Sequence, residues 1–235
     1  MSPIPVLPED RFEGATQDRW RVLIVDDHPL VREGLAARIS TQPDLQVCGE
    51  ASTIDEALAL IGTTRPDLVI VDLALKQGSG LDLIKRASAS RPSAKILVVS
   101  AYEESLFVER ALRAGARGYI NKQELQGAVL RAIRAVLRDQ LYLSDEMARR
   151  LAGRALGGKP AIRGVGALSD RELQVFELIG RGHSTREIAQ QLKRSVHTIE
   201  SHRENIRAKL NLRSGSELTQ QAVRWVLETD AEYQR

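Results

Sequence analysis

Between residues 19 and 138, apolar runs alternate with segments of helical spacing. The run Leu68–Val71 is wholly apolar and rich in β-branched residues, which is typical of a strand buried on both faces. Similar runs predict five strands, at Arg21–Asp26, Leu45–Glu50, Leu68–Val71, Lys95–Ser100 and Arg117–Asn121. Helical spacing predicts a helix after each strand, at Pro29–Thr41, Thr53–Ile61, Leu81–Ala89, Glu103–Ala114 and Glu124–Leu137. In the first of these helices, Leu30, Leu35 and Ile39 are expected to face the core. This alternation predicts an α/β fold with a doubly wound, five-stranded parallel sheet.

The remainder of the chain is expected to contain a linker and a second, smaller domain. Residues 139–166 begin with a short segment of helical spacing, Ser144–Leu156, and continue with a glycine-dense stretch that marks a domain boundary. Residues 167–230 are expected to form a small all-α domain. Residues 1–18 contain three prolines and no periodicity, and are expected to be a disordered leader.

The second domain carries start signals for three helices. Ser169 and Glu172 have the spacing of a capping box, in which each side chain bonds the other residue's backbone N–H. The helices expected after such caps are Asp170–Ile179 after Ser169, Arg186–Leu192 after Ser184 or Thr185, and Val196–Leu210 after Ser195.

The third of these helices is amphipathic. Its apolar stripe is expected to face the core and consists of Val196, Ile199, Ile206 and Leu210. The opposite arc carries polar or small residues, namely His197, Ser201, Glu204, Asn205 and Ala208, with Thr198 and Glu200 beside it. A polar face on a compact helix pair suits a recognition helix in the major groove of DNA. A helical hairpin with a solvated face fits the same spacing, and both interpretations stay open at this point.

The distribution of charge bears on this choice more than its total. The net charge is only +3, but residues 181–213 contain eight Lys or Arg against three Glu. Such a basic segment is where a phosphate-binding surface is expected. The candidate phosphate contacts lie at the ends of the two hairpin helices and are Lys193, Arg194, Lys209 and Arg213.

Two features of the chain bear on its location. No apolar run approaches the roughly 20 residues that are needed to span a bilayer. Residues 1–18 have no apolar core of the kind found in a secretion signal. We therefore expect a cytoplasmic protein without a membrane partner.

Polar side chains stand at the carboxyl ends of the predicted strands. Asp26 and Asp27 follow the first strand, Asp72 follows the third, and Ser100 and Lys122 stand at the ends of the fourth and fifth. The carboxyl ends of parallel strands share one edge of a sheet, so these groups should converge. Three carboxylates together favour a hard divalent cation such as Mg²⁺, and the cluster could also hold a phosphoryl group.

These residues resemble the receiver domain of two-component response regulators, which has a flavodoxin-like fold. The resemblance covers roughly Trp20 to Arg138 and is specific in residue type, order and spacing. It implies that Asp72 is the phospho-acceptor, that Ser100 and Lys122 contact the phosphoryl group, and that Tyr119 is the switch aromatic. The chain departs from the family at Lys76 and Gln123, where relatives often have proline, and this concerns the stiffness of two loops.

The second domain resembles the LuxR-type helix-turn-helix domain. The segments that carry this resemblance are Leu168–Glu172, Ser184–Ala189 and Ser195–His202. With the receiver-like domain in front, the whole chain resembles the NarL/FixJ class of response regulators. Glu200 and Glu204 stand where some relatives have lysine. A glutamate can accept a hydrogen bond from cytosine but repels phosphate, so the base preference of those relatives does not carry over.

The resemblance implies a transcription regulator that is controlled by phosphorylation and is not itself an enzyme. Asp72 would take a phosphoryl group from a sensor histidine kinase, with Mg²⁺ held by Asp26, Asp27, Asp72 and the carbonyl of Ala74. Ser100 and Tyr119 would then move, and release of the second domain, homodimer formation and binding to double-stranded DNA would follow. RNA polymerase is a further candidate partner.

Two other functions are alternatives to this hypothesis. A Mg²⁺-dependent phosphatase with an aspartyl nucleophile usually has a second acid two residues after the nucleophile, but that position is Ala74. A DNA-binding regulator that ignores phosphorylation would have no need of the intact acidic set. Both observations favour the phosphorylation-controlled regulator.

Overall fold

The computed structural model describes residues 19–75, 78–102, 104–155 and 164–233. The expected leader, residues 1–18, lies outside the described residues, and so do Lys76 and residues 156–163 of the expected linker.

The N-terminal domain is a five-stranded parallel sheet with helices on both faces, as predicted. Its strands are β1 (Trp20–Val25), β2 (Leu45–Ala51), β3 (Leu68–Val71), β4 (Lys95–Ser100) and β5 (Gly118–Asn121). Its helices are α1 (Pro29–Ser40), α2 (Ile54–Thr64), α3 (Gly80–Ser90), α4 (Glu104–Ala114) and α5 (Leu125–Leu137), the last preceded by a 3-10 turn at Lys122–Glu124. The strand order is β2-β1-β3-β4-β5. Helices α1 and α5 pack on one face of the sheet, and α2, α3 and α4 pack on the other.

The position of the central strand β3 determines where the candidate site lies. All four of its residues are buried, because helices cover both faces. Val71 is in register with Val25 of β1 and with Val98 of β4. The residues that follow these strands therefore emerge at the same edge of the sheet.

One predicted core residue of α1 is exposed. Leu35 and Ile39 are buried as expected, but Leu30 is 81% exposed. Residues of a helix are about 100° apart, so Leu30 lies roughly 140° around the axis from Leu35. Val31, four residues before Leu35, packs against the core in its place.

The rest of the described chain is helical. Helix α6 (Asp145–Ala155) lies in the expected linker, and the C-terminal domain contains α7 (Asp170–Gly180), α8 (Thr185–Gln191), α9 (Val196–Leu210) and α10 (Gly215–Tyr233). The Ser169–Glu172 capping box is present as predicted, and a second one joins Ser184 and Glu187. Ser195 caps α9 by accepting a hydrogen bond from the backbone N–H of Thr198.

Helix α10 completes the core of the C-terminal domain and was not anticipated as an element. Leu218 and Ala222 on this helix are fully buried. At Gly180 the backbones of α7 and α10 approach so closely that a Cβ atom would lie 2.4 Å from the carbonyl oxygen of Ala222.

The apolar stripe of α9 is shorter than predicted. Ile199 and Ile206 are fully buried, and Leu210 packs at the edge of the core. Val196 is 45% exposed, in the first turn of the helix. Among the described residues, no helix has both the length and the apolar character needed to cross a membrane.

Candidate functional site

Three carboxylates converge at the carboxyl edge of the sheet, as the strand ends predict. Asp26, Asp27 and Asp72 are 2%, 8% and 1% exposed, respectively. One potential ligand atom from each of these residues and from His28 can be chosen so that all four atoms lie within 4.8 Å of one another. Buried carboxylates that are packed so closely require a compensating positive charge.

Lys122 supplies part of that charge. Its Nζ atom lies 2.7 Å from Oδ2 of Asp26 and 2.7 Å from Oδ2 of Asp72. Burial disfavours the ammonium, but Asp72 and Asp26 outweigh it and raise the pKa of Lys122 above its ordinary value. Burial and the neighbouring charge of Asp72 raise the pKa of Asp26, and Lys122 only partly opposes this rise. Lys122 therefore stays charged and neutralises part of the negative charge of the cluster.

His28 joins the cluster, although the sequence analysis did not identify it as a site residue. Its Nδ1 atom lies 2.8 Å from Oδ1 of Asp27 and 3.2 Å from Oδ1 of Asp26. Its backbone N–H also donates to Asp26 Oδ1 at 2.9 Å. The signal available in the sequence was its position directly after the two acids.

The donor atoms of this cluster fit a hard divalent cation. Carboxylate and carbonyl oxygens are the ligands that Mg²⁺ prefers. Ala74, whose carbonyl is the remaining candidate ligand, lines the same cavity as Asp27 and His28. Its backbone N–H donates to Asp72 Oδ1 at 3.1 Å, which fixes the loop against the Asp72 carboxylate.

The loop after β3 closes tightly on Asp72. The backbone N–H of Gly80 donates to the carbonyl of Leu73 at 3.1 Å. A Cβ atom on Gly80 would lie 2.3 Å from the carbonyl oxygen of Asp72, so only glycine fits there without a shift of the backbone.

Ser100 and Tyr119 connect to one another through Tyr102. Ser100 is fully buried, and its hydroxyl accepts from the backbone N–H of Tyr102 at 3.3 Å. The Tyr119 ring is also buried, and its hydroxyl donates to the carbonyl of Tyr102 at 2.8 Å. A displacement of either side chain would therefore break a hydrogen bond to the backbone of Tyr102. The sequence analysis did not identify Tyr102 as a site residue.

Most of the predicted DNA-contacting residues are accessible. The exposed ones on the polar arc of α9 or beside it are His197, Glu200, Ser201, Glu204 and Asn205, whereas Thr198 is half-buried. Lys193, Arg194, Lys209 and Arg213 are also exposed. The receiver-like domain therefore does not cover this face in the structure.

Lys209 forms a contact that its position in the sequence does not reveal. Its Nζ atom lies 2.6 Å from Oε2 of Glu172, the capping-box residue of α7. Burial disfavours the carboxylate of Glu172, but hydrogen bonds from Lys209 and Ser169 outweigh it and lower the pKa of Glu172. Lys209 thus holds α9 against α7.

A cluster of ion pairs joins the two domains. Asp170, at the start of α7, lies 2.8 Å from Lys85 of α3 and 2.9 Å from Arg110 of α4. Arg110 also donates to the carbonyls of Gly166 and Leu168. Burial disfavours the charge of Asp170, but Lys85 and Arg110 outweigh it and lower the pKa of Asp170.

Comparison with known proteins agrees with this arrangement. Residues 22–134 match the response regulator receiver domain, and residues 166–222 match the bacterial regulatory proteins of the luxR family. The response regulator GacA of Pseudomonas aeruginosa is 34% identical over 204 residues, which are 87% of this chain and 95% of that protein. The chain belongs to the response regulators. It combines a receiver domain with a LuxR-type DNA-binding domain, as predicted.

Other relatives cover similar lengths of this response regulator. The oxygen regulatory protein NreC of Staphylococcus carnosus is 34% identical over 87% of this chain and 97% of its own. The response regulator UvrY of Escherichia coli is 32% identical over 86% of this chain and 93% of its own. The similarity to these relatives extends over both domains, so the kinship is not limited to the receiver domain.

Solved structures show the same fold. RcsB from Salmonella enterica serovar Typhimurium, bound to the promoter rprA in the presence of the phosphomimetic BeF3−, matches with a TM-score of 0.67 and 26% identity, over 86% of this chain and 98% of that one. A LuxR-family two-component response regulator from Aurantimonas sp. SI85-9A1 matches with a TM-score of 0.55 and 33% identity, over 59% of this chain and 99% of that one. The predicted fold class is thereby confirmed.

Proposed function

We propose that Asp72 accepts a phosphoryl group from a phosphohistidine of a sensor kinase, and that this modification controls binding to DNA. An oxygen of the Asp72 carboxylate attacks phosphorus, the P–N bond breaks, and the kinase imidazole leaves. The observation that carries this proposal is the position of Asp72, which is buried at the end of the central strand and held by Lys122 at 2.7 Å.

Asp27, Asp72 and the carbonyl of Ala74 would hold Mg²⁺ in this pocket, with Asp26 assisting. A bound Mg²⁺ offsets the charge that develops on the transferring phosphoryl oxygens. Lys122 bridges Asp26 and Asp72 before transfer and is placed to pair with a phosphoryl oxygen afterwards. Ser100, at the end of the neighbouring strand, would donate a hydrogen bond to the same group.

The new charge would be transmitted through Ser100 and Tyr119. A phosphoryl group carries a charge of about −1.5 to −2 at neutral pH and replaces the single negative charge of the Asp72 carboxylate, so the pocket becomes more negative. If the Ser100 hydroxyl turns toward the phosphoryl group, it leaves the N–H of Tyr102. Tyr119 is bonded to the carbonyl of the same residue, and could then reposition with it.

Helix α9 would enter the major groove of DNA. Ser201, His197, Glu200, Glu204, Asn205 and Thr198 would face the bases, while Lys193, Arg194, Lys209 and Arg213 would contact phosphates. Since the polar arc is exposed in the docked arrangement, phosphorylation need not uncover it. Separation of the domains would instead let two DNA-binding domains pair over a DNA element with two half-sites.

The partners follow from the same chemistry. They are a sensor histidine kinase, double-stranded DNA and a second copy of the phosphorylated chain, with the cytoplasm as the location; contact with RNA polymerase stays a prediction. The rival aspartyl phosphatase would need a general acid where the chain has Ala74, and kinship with transcription regulators also favours a regulator.

Mass spectrometry tests the acceptor. The protein is incubated with acetyl phosphate and Mg²⁺, and the intact mass is measured. We expect one phosphoryl group on the wild type and on Asp82→Asn, a matched change at an exposed aspartate, and none on Asp72→Asn. Labelling that persists in Asp72→Asn would exclude Asp72 as the acceptor.

A further inference from the structure

A cavity separates the phosphorylation pocket from the DNA-binding domain. Its volume is about 460 Å³. The receiver domain lines it with Asp27, His28 and Tyr102, and the DNA-binding domain lines it with Glu177, Arg181 and His183. Charged groups of the two domains therefore face each other across a space that is partly withdrawn from water, where their interactions are screened less than at the surface.

Glu177 is the acidic residue that the DNA-binding domain contributes to this cavity. It lies on α7, and its Oε1 atom is 3.1 Å from Nε of Arg181, one turn later. Burial raises the pKa of Glu177, the charge of Asp72 adds to the rise, and Tyr102 and Arg181 oppose it only in part. The Glu177 carboxylate is thus already in an unfavourable environment when Asp72 carries a single negative charge.

Tyr102 ties Glu177 to the switch residues of the receiver domain. Its ring stacks on Phe107 of α4 at 4.3 Å and on Trp225 of α10 at 5.7 Å between centroids. Burial and the nearby Glu177 carboxylate raise the pKa of Tyr102. The two side chains are close, but the Tyr102 hydroxyl forms no well-aligned hydrogen bond among the described residues. Ring stacking therefore holds the two domains together at Tyr102, beside the Glu177 carboxylate.

We propose that Glu177 opposes the phosphoryl group on Asp72, so that phosphorylation and docking of the DNA-binding domain disfavour each other through this carboxylate. The proposal rests on the proposed function and deepens it, because it names the residue that couples the two domains. Phosphorylation increases the negative charge on the receiver side of the cavity, and like charges then repel across it. Asp170, at the other end of α7, sits between two cations and holds the docked arrangement until then.

The coupling is reciprocal. If phosphorylation weakens docking by some factor, docking weakens phosphorylation by the same factor, as linkage requires. The undocked protein should therefore accept a phosphoryl group more readily than the docked one. Glu177→Gln keeps the size and polarity of the side chain but removes its charge, so it should reduce this factor without disturbing the fold.

The test uses Trp225 as a reporter in the full-length protein carrying Trp20→Phe. Trp225 emission reports the docking equilibrium, because the ring stacks on Tyr102 only when the domains are docked. Each variant is measured with Mg²⁺ alone and with Mg²⁺ and acetyl phosphate, and its labelling is followed by intact mass. The matched control is Glu228→Gln, which makes the same charge change at an exposed position of α10.

For the wild type and Glu228→Gln, we expect phosphorylation to raise the undocking equilibrium constant by about tenfold, within the usual range of coupling between sites. For Glu177→Gln, phosphorylation should raise the undocking equilibrium constant by less than about threefold. Glu177→Asp, which keeps the negative charge, should respond like the wild type. Arg181→Gln, which removes the cation beside Glu177, should give a rise at least as large as the wild type and provides a second test if Glu177→Gln does not fold.

The outcomes separate the two proposals. If the wild type is not labelled on Asp72, the proposed function fails. If Asp72 is labelled but Glu177→Gln undocks as readily as the wild type, or the wild type does not undock, the role of Glu177 is wrong while the acceptor stands. A smaller rise in Arg181→Gln than in the wild type would also overturn it.

Discussion

The acidic pocket of the receiver domain and the polar face of α9 hold their charges in opposite ways. In the pocket, Asp26 and Asp72 are almost wholly buried and share one ammonium group, Lys122. On α9, Glu200 and Glu204 are exposed, and each lies more than 3.5 Å from the arginine three residues later. The pocket thus depends on compensation within the protein, whereas the charges of the helix are solvated until a partner arrives.

This difference determines what a substitution should do in each region. Removing the cation from the pocket leaves buried carboxylates uncompensated, so stability should respond strongly. Removing a charge from the exposed face should leave the fold intact and change only the interaction with DNA.

Lys122→Ala should have the largest effect on stability. It leaves Asp26 and Asp72 without their shared cation, and loss of one partner of a buried pair typically costs about 3–5 kcal/mol. Glu204→Ala on the exposed face should change the free energy of unfolding by less than about 0.5 kcal/mol. Urea unfolding of both variants measures the difference, and equal effects would remove the contrast between the two regions.

Mg²⁺ binding should distinguish the proposed ligands of the pocket from its other polar residues. Asp27→Ala removes a proposed ligand and should weaken Mg²⁺ binding by at least about tenfold, whereas Ser100→Ala removes none. Isothermal titration of each variant with MgCl₂ gives the two affinities. Trp20 would be a poor probe, because it lies at the start of β1, at the edge of the sheet opposite the pocket. Equal affinities in the two variants would refute the ligand assignment.

On the exposed face, Arg213→Ala and Ser201→Ala should affect DNA binding differently. Loss of a phosphate contact at Arg213 should reduce the slope of log affinity against log salt by roughly 0.9, equally for all sequences. Loss of a base contact at Ser201 should cost about 1–3 kcal/mol at one base position and leave the slope unchanged. Titrations at several salt concentrations, with a selected and a random duplex, distinguish them. The reverse pattern would mean that α9 docks differently.

Lys209 lies on α9 and also forms an ion pair within the DNA-binding domain. Its ion pair with Glu172 implies that Lys209→Ala destabilises the DNA-binding domain as well as weakening DNA binding. Because the Lys209 side chain is 41% exposed, we expect a modest loss, of about 1 kcal/mol or less. Thermal unfolding of Lys209→Ala beside Arg213→Ala measures it, and an unchanged melting temperature would show that the pair contributes nothing.

The sequence predicted the pocket well because the geometry of parallel strands leaves little choice. Once β1, β3 and β5 are recognised, Asp26, Asp72 and Lys122 must emerge at one edge. The contacts it did not predict join residues far apart in the chain, such as Asp170 with Arg110 and Trp225 with Tyr102. No periodicity encodes such pairs, because they depend on how one domain settles against the other. The prediction that Leu30 faces the core was wrong for a local reason, because it considered the hydrophobicity of the residue and not its angle on the helix.

In the proposed function, phosphorylation of Asp72 controls which DNA this response regulator binds. Genomic DNA fragments captured by the wild type and by Asp72→Asn, each treated with acetyl phosphate and Mg²⁺, can be sequenced and compared with untreated protein. We expect only the treated wild type to enrich an element with two half-sites. Equal enrichment of the same element by treated Asp72→Asn would contradict it.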